Sequence, residues 1–191
     1  YGLGECYLWL ERLEVEFELH EYADLVDGAA GQPPGYLDWL RQCPVPVYML
    51  DHFDDIPNSV RYPMEEMATI FGGRVYPDGT VEGYFTSTIS YMLALAISQL
   101  KAGDELRLYG VDLAANGEYI RERAGAEFLL GYAIGKGIEV VLPEACPLLR
   151  APLYGRPHPG LYPMIHLAER IESRIAALRV KQQSTLAEFN G

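Results

Sequence analysis

Residues 84–142 constrain the fold more than any other part of the chain. A helical pattern at 86–100 leads into an apolar run at 105–109. A second helical pattern at 118–136 leads into a second run, IEVVL at 138–142, closed by Pro143. Two strands one helix apart cannot make a tight hairpin, so they pair in parallel with the helix crossing over. The same alternation runs upstream. Val15, Phe17 and Leu19 alternate with Glu16 and Glu18, a strand pattern with one wetter face. VPVYML at 45–50 is another strand, and Pro46, which lacks an N–H, favours an edge or an early strand position. Helices are expected at 5–13, 36–42 and 63–71, a loop at 51–62, and a hairpin or loop at 72–83 around the turn signal Pro77-Asp78-Gly79. The expected class is α/β with a mostly parallel sheet, and a long C-terminal helix at 163–189. The expected domains are 1–160 and the helical 161–191.

Charge and cysteine usage exclude several functions. The chain has 191 residues, enough for one domain with its own core. Its 27 acidic residues outnumber 15 basic ones, a formal net charge of -12. That balance repels phosphate backbones, so duplex nucleic acid is not an expected partner. Cys6, Cys43 and Cys146 are far apart and form no C-x-x-C pair, which argues against a disulfide framework and a zinc site. Reduced thiols fit a cytoplasmic location. No apolar run reaches bilayer length, and no signal peptide is recognised. No metal is expected, and the cofactor is left open.

Several side chains are candidates for chemistry. Thr86, Ser87, Thr88 and Ser90 crowd the start of the 86–100 helix. Hydroxyls and free N–H groups there can hold a phosphate or a sugar carboxylate. The plainer reading is an N-cap, although a cap needs only one hydroxyl. Gly110 and Asp112 follow the 105–109 strand, where ligands of open parallel sheets bind. Asp112 can hold a ribose or a substrate hydroxyl, or simply make an Asx turn. Glu118, Tyr119, Arg121 and Arg123 open the next helix, and an Arg there can grip phosphate or pair with a neighbouring Glu. His20 ends the 15–19 strand and is a candidate general base, against the commoner structural histidine. His52 lies in an acidic loop where Asp54 or Asp55 can bind it. Asn58, Ser59, Arg61 and Tyr62 read as an exposed polar connection. No G-x-G-x-x-G, Walker loop or G-x-S-x-G is present.

Taken together, YGLGECYLWL, FELH, YLDWL, VPVYML, IPNSVRYP, FTSTISYMLALAI, LRLYGVDL and EYIRERAGAEFLLGYAIGKGIEVVLP resemble a group of small proteins of tailed phages and prophages. The resemblance runs from residue 1 to about 155. More distantly, the helix-start hydroxyls followed by a GVD strand end look like sialyltransferases of glycosyltransferase family 42 and related domains. The resemblance implies a Rossmann-like three-layer sandwich and a nucleotide or nucleotide-sugar ligand. On it, Thr86, Ser87 and Thr88 grip the nucleotide, and Asp112 matches the acid after the strand. The first strand of that group, with its Gly- and Ser-containing loop, has no counterpart in 1–191, and the sialyltransferase catalytic histidine has no match.

Two functions are expected from this. One is a phage-encoded glycosyltransferase in the bacterial host cytoplasm. His20 or Asp112 is its base, Thr86, Ser87, Thr88, Gly110, Asp112, Tyr119 and Arg121 are its ligand contacts, and Arg121 or the Thr86 helix start stabilises the leaving phosphate. The alternative is a non-enzymatic phage protein, either a ligand-sequestering or anti-defence factor or an assembly component. In either case the C-terminal helix, with Ile171 and Ile175 on its stripe, can join copies into a homo-oligomer.

Overall fold

The computed structural model describes residues 1–8, 10–111, 113, 117–150, 174–175 and 178–179, with the side chains of 5 and 117–121 left aside. It falls into two compact units, Tyr1–Ala145 and Cys146–Gly191. The first unit opens with β1 (Gly2–Leu3), a 3-10 turn at Gly4–Leu8 and β2 (Glu16–Phe17). Helices α1 (Tyr22–Asp27) and α2 (Tyr36–Gln42) carry the chain to β3 (Val47–Met49), followed by β4 (Ser59–Arg61) and α3 (Met64–Ile70). The hairpin β5 (Arg74–Val75) and β6 (Val81–Glu82) comes next. Then α4 (Thr88–Gln99) leads to β7 (Glu105–Arg107), and α5 (Gly117–Gly135) leads to β8 (Glu139–Val141).

Strands β1 to β4 form one parallel sheet in chain order, with Gly2 opposite Glu16, Glu16 opposite Val47 and Val47 opposite Ser59. Strands β7 and β8 pair in parallel, Leu106 opposite Val140. The fold is therefore α/β with parallel pairing, as the spacing of 105–109 and 138–142 required. Parallel strands need crossovers: α1 and α2 lie in the one between β2 and β3 and α5 in the one between β7 and β8, whereas the 3-10 turn lies between β1 and β2 and an irregular segment at 50–58 joins β3 to β4.

Both faces of the four-stranded sheet are covered. Val47 and Met49 pack with Leu25, Tyr36, Leu40, Cys43 and Ile56 on the α1/α2 side. On the other side a row of rings runs across the strands to α4. Tyr1 to Phe17, Phe17 to Tyr48, Tyr48 to Tyr62 and Tyr62 to Tyr91 are spaced 5.3, 5.2, 6.2 and 4.9 Å. Stacked and tilted rings add to the stability from burial alone. The hydroxyl of Tyr1 donates to Gln99 at the end of α4, and that of Tyr62 donates to the carbonyl of Tyr91 in its first turn. Helix α4 thus runs antiparallel to the strands, and its N-terminus lies at their carboxyl edge.

Local chemistry explains the element ends. Gly28 caps α1 with φ of 82°, and Gly35 precedes α2 with φ of 84°; glycine adopts both without a Cβ penalty. In the β5–β6 turn Gly79 has φ of 86° and Asp78 accepts from the N–H of Thr80 at 2.9 Å. Two expectations need correction. The helix at 5–13 is only the 3-10 turn, and the loop at 51–62 contains strand β4. Pro46 precedes β3, an interior strand, and its carbonyl accepts from the N–H of Glu16 at 2.9 Å. The expected helix at 163–189 lies outside the described residues except for 174, 175, 178 and 179, which are helical.

Candidate functional site

The four-stranded sheet buries two carboxylates on the wall expected to be wet. Glu16 is 0% exposed and Glu18 is 2% exposed. They project from the same face of the β2 segment, opposite Phe17, because strand side chains alternate. In a sheet covered on both sides that face is interior as well. Buried acids demand partners, and the two acids are served unequally.

Glu18 is fully engaged. Its Oε1 accepts from the backbone N–H of His20 at 3.0 Å and meets His20 Nδ1 at 2.5 Å. Its Oε2 accepts from Gln32 Nε2 at 3.1 Å. An acceptor bonded in this way takes a proton from Nδ1–H, so in the neutral imidazole the lone pair sits on Nε2. The His20 side chain is 45% exposed, so that lone pair belongs to a partly open group. The arrangement is a base oriented by a buried carboxylate.

Glu16 has one weak partner. Tyr36 donates to its Oε1 at 3.5 Å, and among the described residues its Oε2 is buried with no hydrogen bond. Burial, reinforced by the charge of Glu18, pushes the Glu16 carboxyl up to about 8, against a smaller opposing effect of the Tyr36 bond. Tyr36 itself is held well above the usual phenol range, first by burial and then by the two carboxylates it faces. Beside Gln32 and Tyr36 lies a cavity of about 320 Å³, walled also by Asp27, Gly28, Pro34 and Asp38.

The α4 start is tied to α5. The Thr86 hydroxyl donates to the carbonyl of Glu122 at 3.0 Å, tying the α4 entrance to α5. Gly125 of α5 lies so close that a Cβ there would come within 2.3 Å of Thr86 Oγ1 and of the Tyr84 carbonyl, and 2.8 Å of Ser90 Oγ. Thr86 and buried Ser90 therefore serve helix packing. Ser87 is the N-cap, extended at φ −164°, and makes no side-chain cap bond; its hydroxyl is 3.4 Å from that of Ser90. Thr88 is the first helical residue. By helix geometry the first-turn N–H groups point out at the carboxyl edge of the strands.

At the end of β7, Gly110 has φ of 73° and buried Leu113 has φ of 45°. A leucine in the left-handed region is held there by its surroundings, and such residues gather at functional sites. Asp112 lies between them but outside the described residues, as do the side chains of Tyr119 and Arg121. Arg123 pairs with Glu127 at 2.8 Å. His52 Nδ1 lies 2.9 Å from both the carbonyl and the hydroxyl of Ser59, with Nε2 3.8 Å from Asp54. Arg61 pairs with Glu65 at 2.8 Å, and Tyr62 is buried.

Of the expected site residues, His20 gains a partner that sequence reasoning missed. FELH already held the signal: in a parallel strand covered on both faces, an acid two residues before a terminal histidine shares its face. Among the described residues no group of three or more His, Cys, Asp or Glu side chains is placed to hold a metal. Nor is any helix long and apolar enough to cross a membrane. No family model, no curated protein and no solved structure matches the chain.

Proposed function

We propose that the chain is a nucleotide- or nucleotide-sugar-binding protein that transfers a glycosyl group, with His20 as general base. The observation that carries this reading is the Glu18–His20 pair, a buried carboxylate holding Nδ1 of a half-exposed imidazole, which leaves Nε2 as the proton acceptor of the neutral ring. In the transfer step the acceptor O–H gives its proton to His20 Nε2. The acceptor oxygen bonds the anomeric carbon as the bond from that carbon to the donor phosphate breaks, and the nucleotide departs as a mono- or diphosphate. The first turn of α4 and Arg121 supply the groups that meet the departing charge, and Asp112 holds a sugar hydroxyl. The Rossmann-like reading and the likeness to phage proteins and to glycosyltransferase family 42 support this ligand class.

The test is a panel of nucleoside mono- and diphosphate sugars, read by calorimetry for binding and by release of free nucleotide for turnover. His20→Ala is expected to lower turnover about 10²–10⁴-fold while leaving nucleotide binding intact, and Glu18→Gln to lower turnover by orienting the ring wrongly. Turnover unchanged in His20→Ala would falsify the role of the base. No binding of any nucleotide would sink the ligand class.

A second reading has its own observation. Ile175 and Leu178, three residues apart in helical segments, are 42% and 56% exposed. That exposed pair suits a non-enzymatic assembly role, in which Ile175→Glu shifts the sedimentation coefficient and His20→Ala changes nothing.

A further inference from the structure

We propose that Gln32 is a positioning residue for His20: its side-chain amide fixes the plane of the Glu18 carboxylate, and through Glu18 the tautomer of the imidazole. The role rests on the reading of His20 as general base and adds the residue that keeps that base in its working form.

The two acids of the β2 segment supply an internal comparison. Glu16 and Glu18 share a face and are both buried, yet only Glu18 has a bond on each oxygen. Glu16 Oε2 has none among the described residues. Glu18 Oε2 accepts from Gln32 Nε2 at 3.1 Å. The other two contacts of Glu18, from the N–H of His20 at 3.0 Å and with Nδ1 at 2.5 Å, both fall on Oε1. The last torsion of a glutamate is broad and near two-fold. Bonds on one oxygen alone therefore leave the carboxylate free to turn, and turning takes the acceptor away from Nδ1. A bond on the second oxygen stops the rotation. Chemistry fixes which end of the amide makes it: a carboxylate only accepts, so the NH₂ end of Gln32 faces Glu18. A neutral donor also leaves Glu18 its charge, which a lysine or arginine in that place would offset.

Gln32 is itself braced. Ahead of it, Ala30 N–H donates to the carbonyl of Asp24 at 3.0 Å and Gly31 N–H to that of Gly28 at 3.2 Å. Behind it, Tyr36 N–H donates to the carbonyl of Pro33 at 3.1 Å. Pro33 and Pro34 follow directly, each with φ locked by its ring. The plainer account of the same bond is a tie between this loop and β2. A tie would act on folding and leave the ring alone, so the imidazole decides between the two.

Long-range nitrogen–proton NMR spectra of the full chain, taken where the ring is neutral, report which ring nitrogen carries the hydrogen. In the parent it is expected on Nδ1 of His20. Gln32→Met keeps the length without a donor, and Gln32→Glu keeps the shape but presents an acceptor. In both, the ring is expected to move toward the Nε2–H form that free histidine prefers in water. Glycosyl transfer is expected to fall about tenfold in kcat, with KM for the nucleotide sugar unchanged. Urea unfolding confirms that each variant is folded, and Gln32→Met suffices if charge repulsion unfolds the other. Three results overturn the proposal: a tautomer unchanged in the folded variants, which leaves Gln32 as a loop tie; a tautomer that moves with kcat unaffected; or a rise in KM alone, which puts Gln32 on the substrate. A parent ring with its hydrogen on Nε2 defeats Gln32 and the base together. A chain that turns over no nucleotide sugar yet shows the tautomer shift keeps the positioning role and loses the transferase.

Discussion

Glu16 should make this protein less stable as pH rises, and Glu16→Gln should remove that dependence. The carboxyl is pushed up to about 8 by burial and by Glu18, from an ordinary value of 4.5. The folded state therefore holds a proton that the unfolded chain has released between those two values. Linkage then makes unfolding free energy fall as pH rises through that window. The stability that protonation preserves is complete below 4.5 and lost above 8. A shift of that size corresponds to about 5 kcal/mol at the alkaline limit, at about 1.4 kcal/mol for each pH unit. By the same relation about 1 kcal/mol is gone at pH 5 and about 3 kcal/mol at pH 7. Glutamine keeps the shape and cannot ionise. Urea unfolding of both proteins at pH 5, 7 and 9 should show the variant gaining on the parent by about 4 kcal/mol across the range. Titrating groups that do not interact with Glu16 cancel in that difference. A gap that stays constant with pH, or that narrows, would mean that Glu16 ionises freely and that Oε2 has a partner.

Other perturbations probe separate contacts. Gly125→Ala should destabilise the chain by about 1–3 kcal/mol or more, because the new methyl meets the Tyr84 carbonyl, which is backbone and cannot swing aside; thermal unfolding checks this, and an unchanged midpoint would contradict the α4–α5 packing. Tyr36→Phe removes the hydroxyl facing both buried carboxylates and should cost about 1–3 kcal/mol, more at pH 8 than at pH 5, since the lost donor serves the charged form. Leu93→Ala, at a buried α4 position, should cost about 2–5 kcal/mol in the same assay.

The parts of the fold that the sequence foretold are those with local rules. Helix α2 occupies the expected 36–42, with Tyr36 and Leu40 buried one turn apart. Helices α4 and α5 differ from expectation by a residue or two at their ends, where fraying and caps decide. The β5–β6 hairpin was announced by Pro77-Asp78-Gly79 because that turn needs a left-handed glycine. Strand β4 was hidden, since three residues with Val60 and Arg61 exposed carry no periodicity, and only pairing with β3 makes them a strand. The site was half legible. His20 at a strand end was visible. The burial of Glu16 and Glu18 was not, because alternation marks the polar face without saying whether a second layer covers it. The Thr86 bond was hidden for a related reason: its hydroxyl donates to the carbonyl of Glu122, a residue 36 positions away, which no local rule announces.

The unequal treatment of the two acids bears on why they are there. A well-packed apolar side chain in place of Glu16 would spare the folded state an unpartnered carboxyl oxygen, and replacing buried ionisable groups by apolar ones is often stabilising. Glu18 has a structural justification in the three groups it binds, whereas among the described residues Glu16 has one long bond, from Tyr36. What Glu16 does reach is Tyr36, and Tyr36 also faces Glu18, which holds His20. The four side chains form one line from the sheet interior to a half-exposed imidazole. A residue that destabilises the fold yet sits at the end of that line is the expected result where function, not stability, sets the choice. Glu16→Leu accordingly separates the two demands: it should raise the urea midpoint at pH 8 while altering the His20 ring environment seen by NMR. A variant that gains stability with the His20 signals unmoved would break the line at Tyr36.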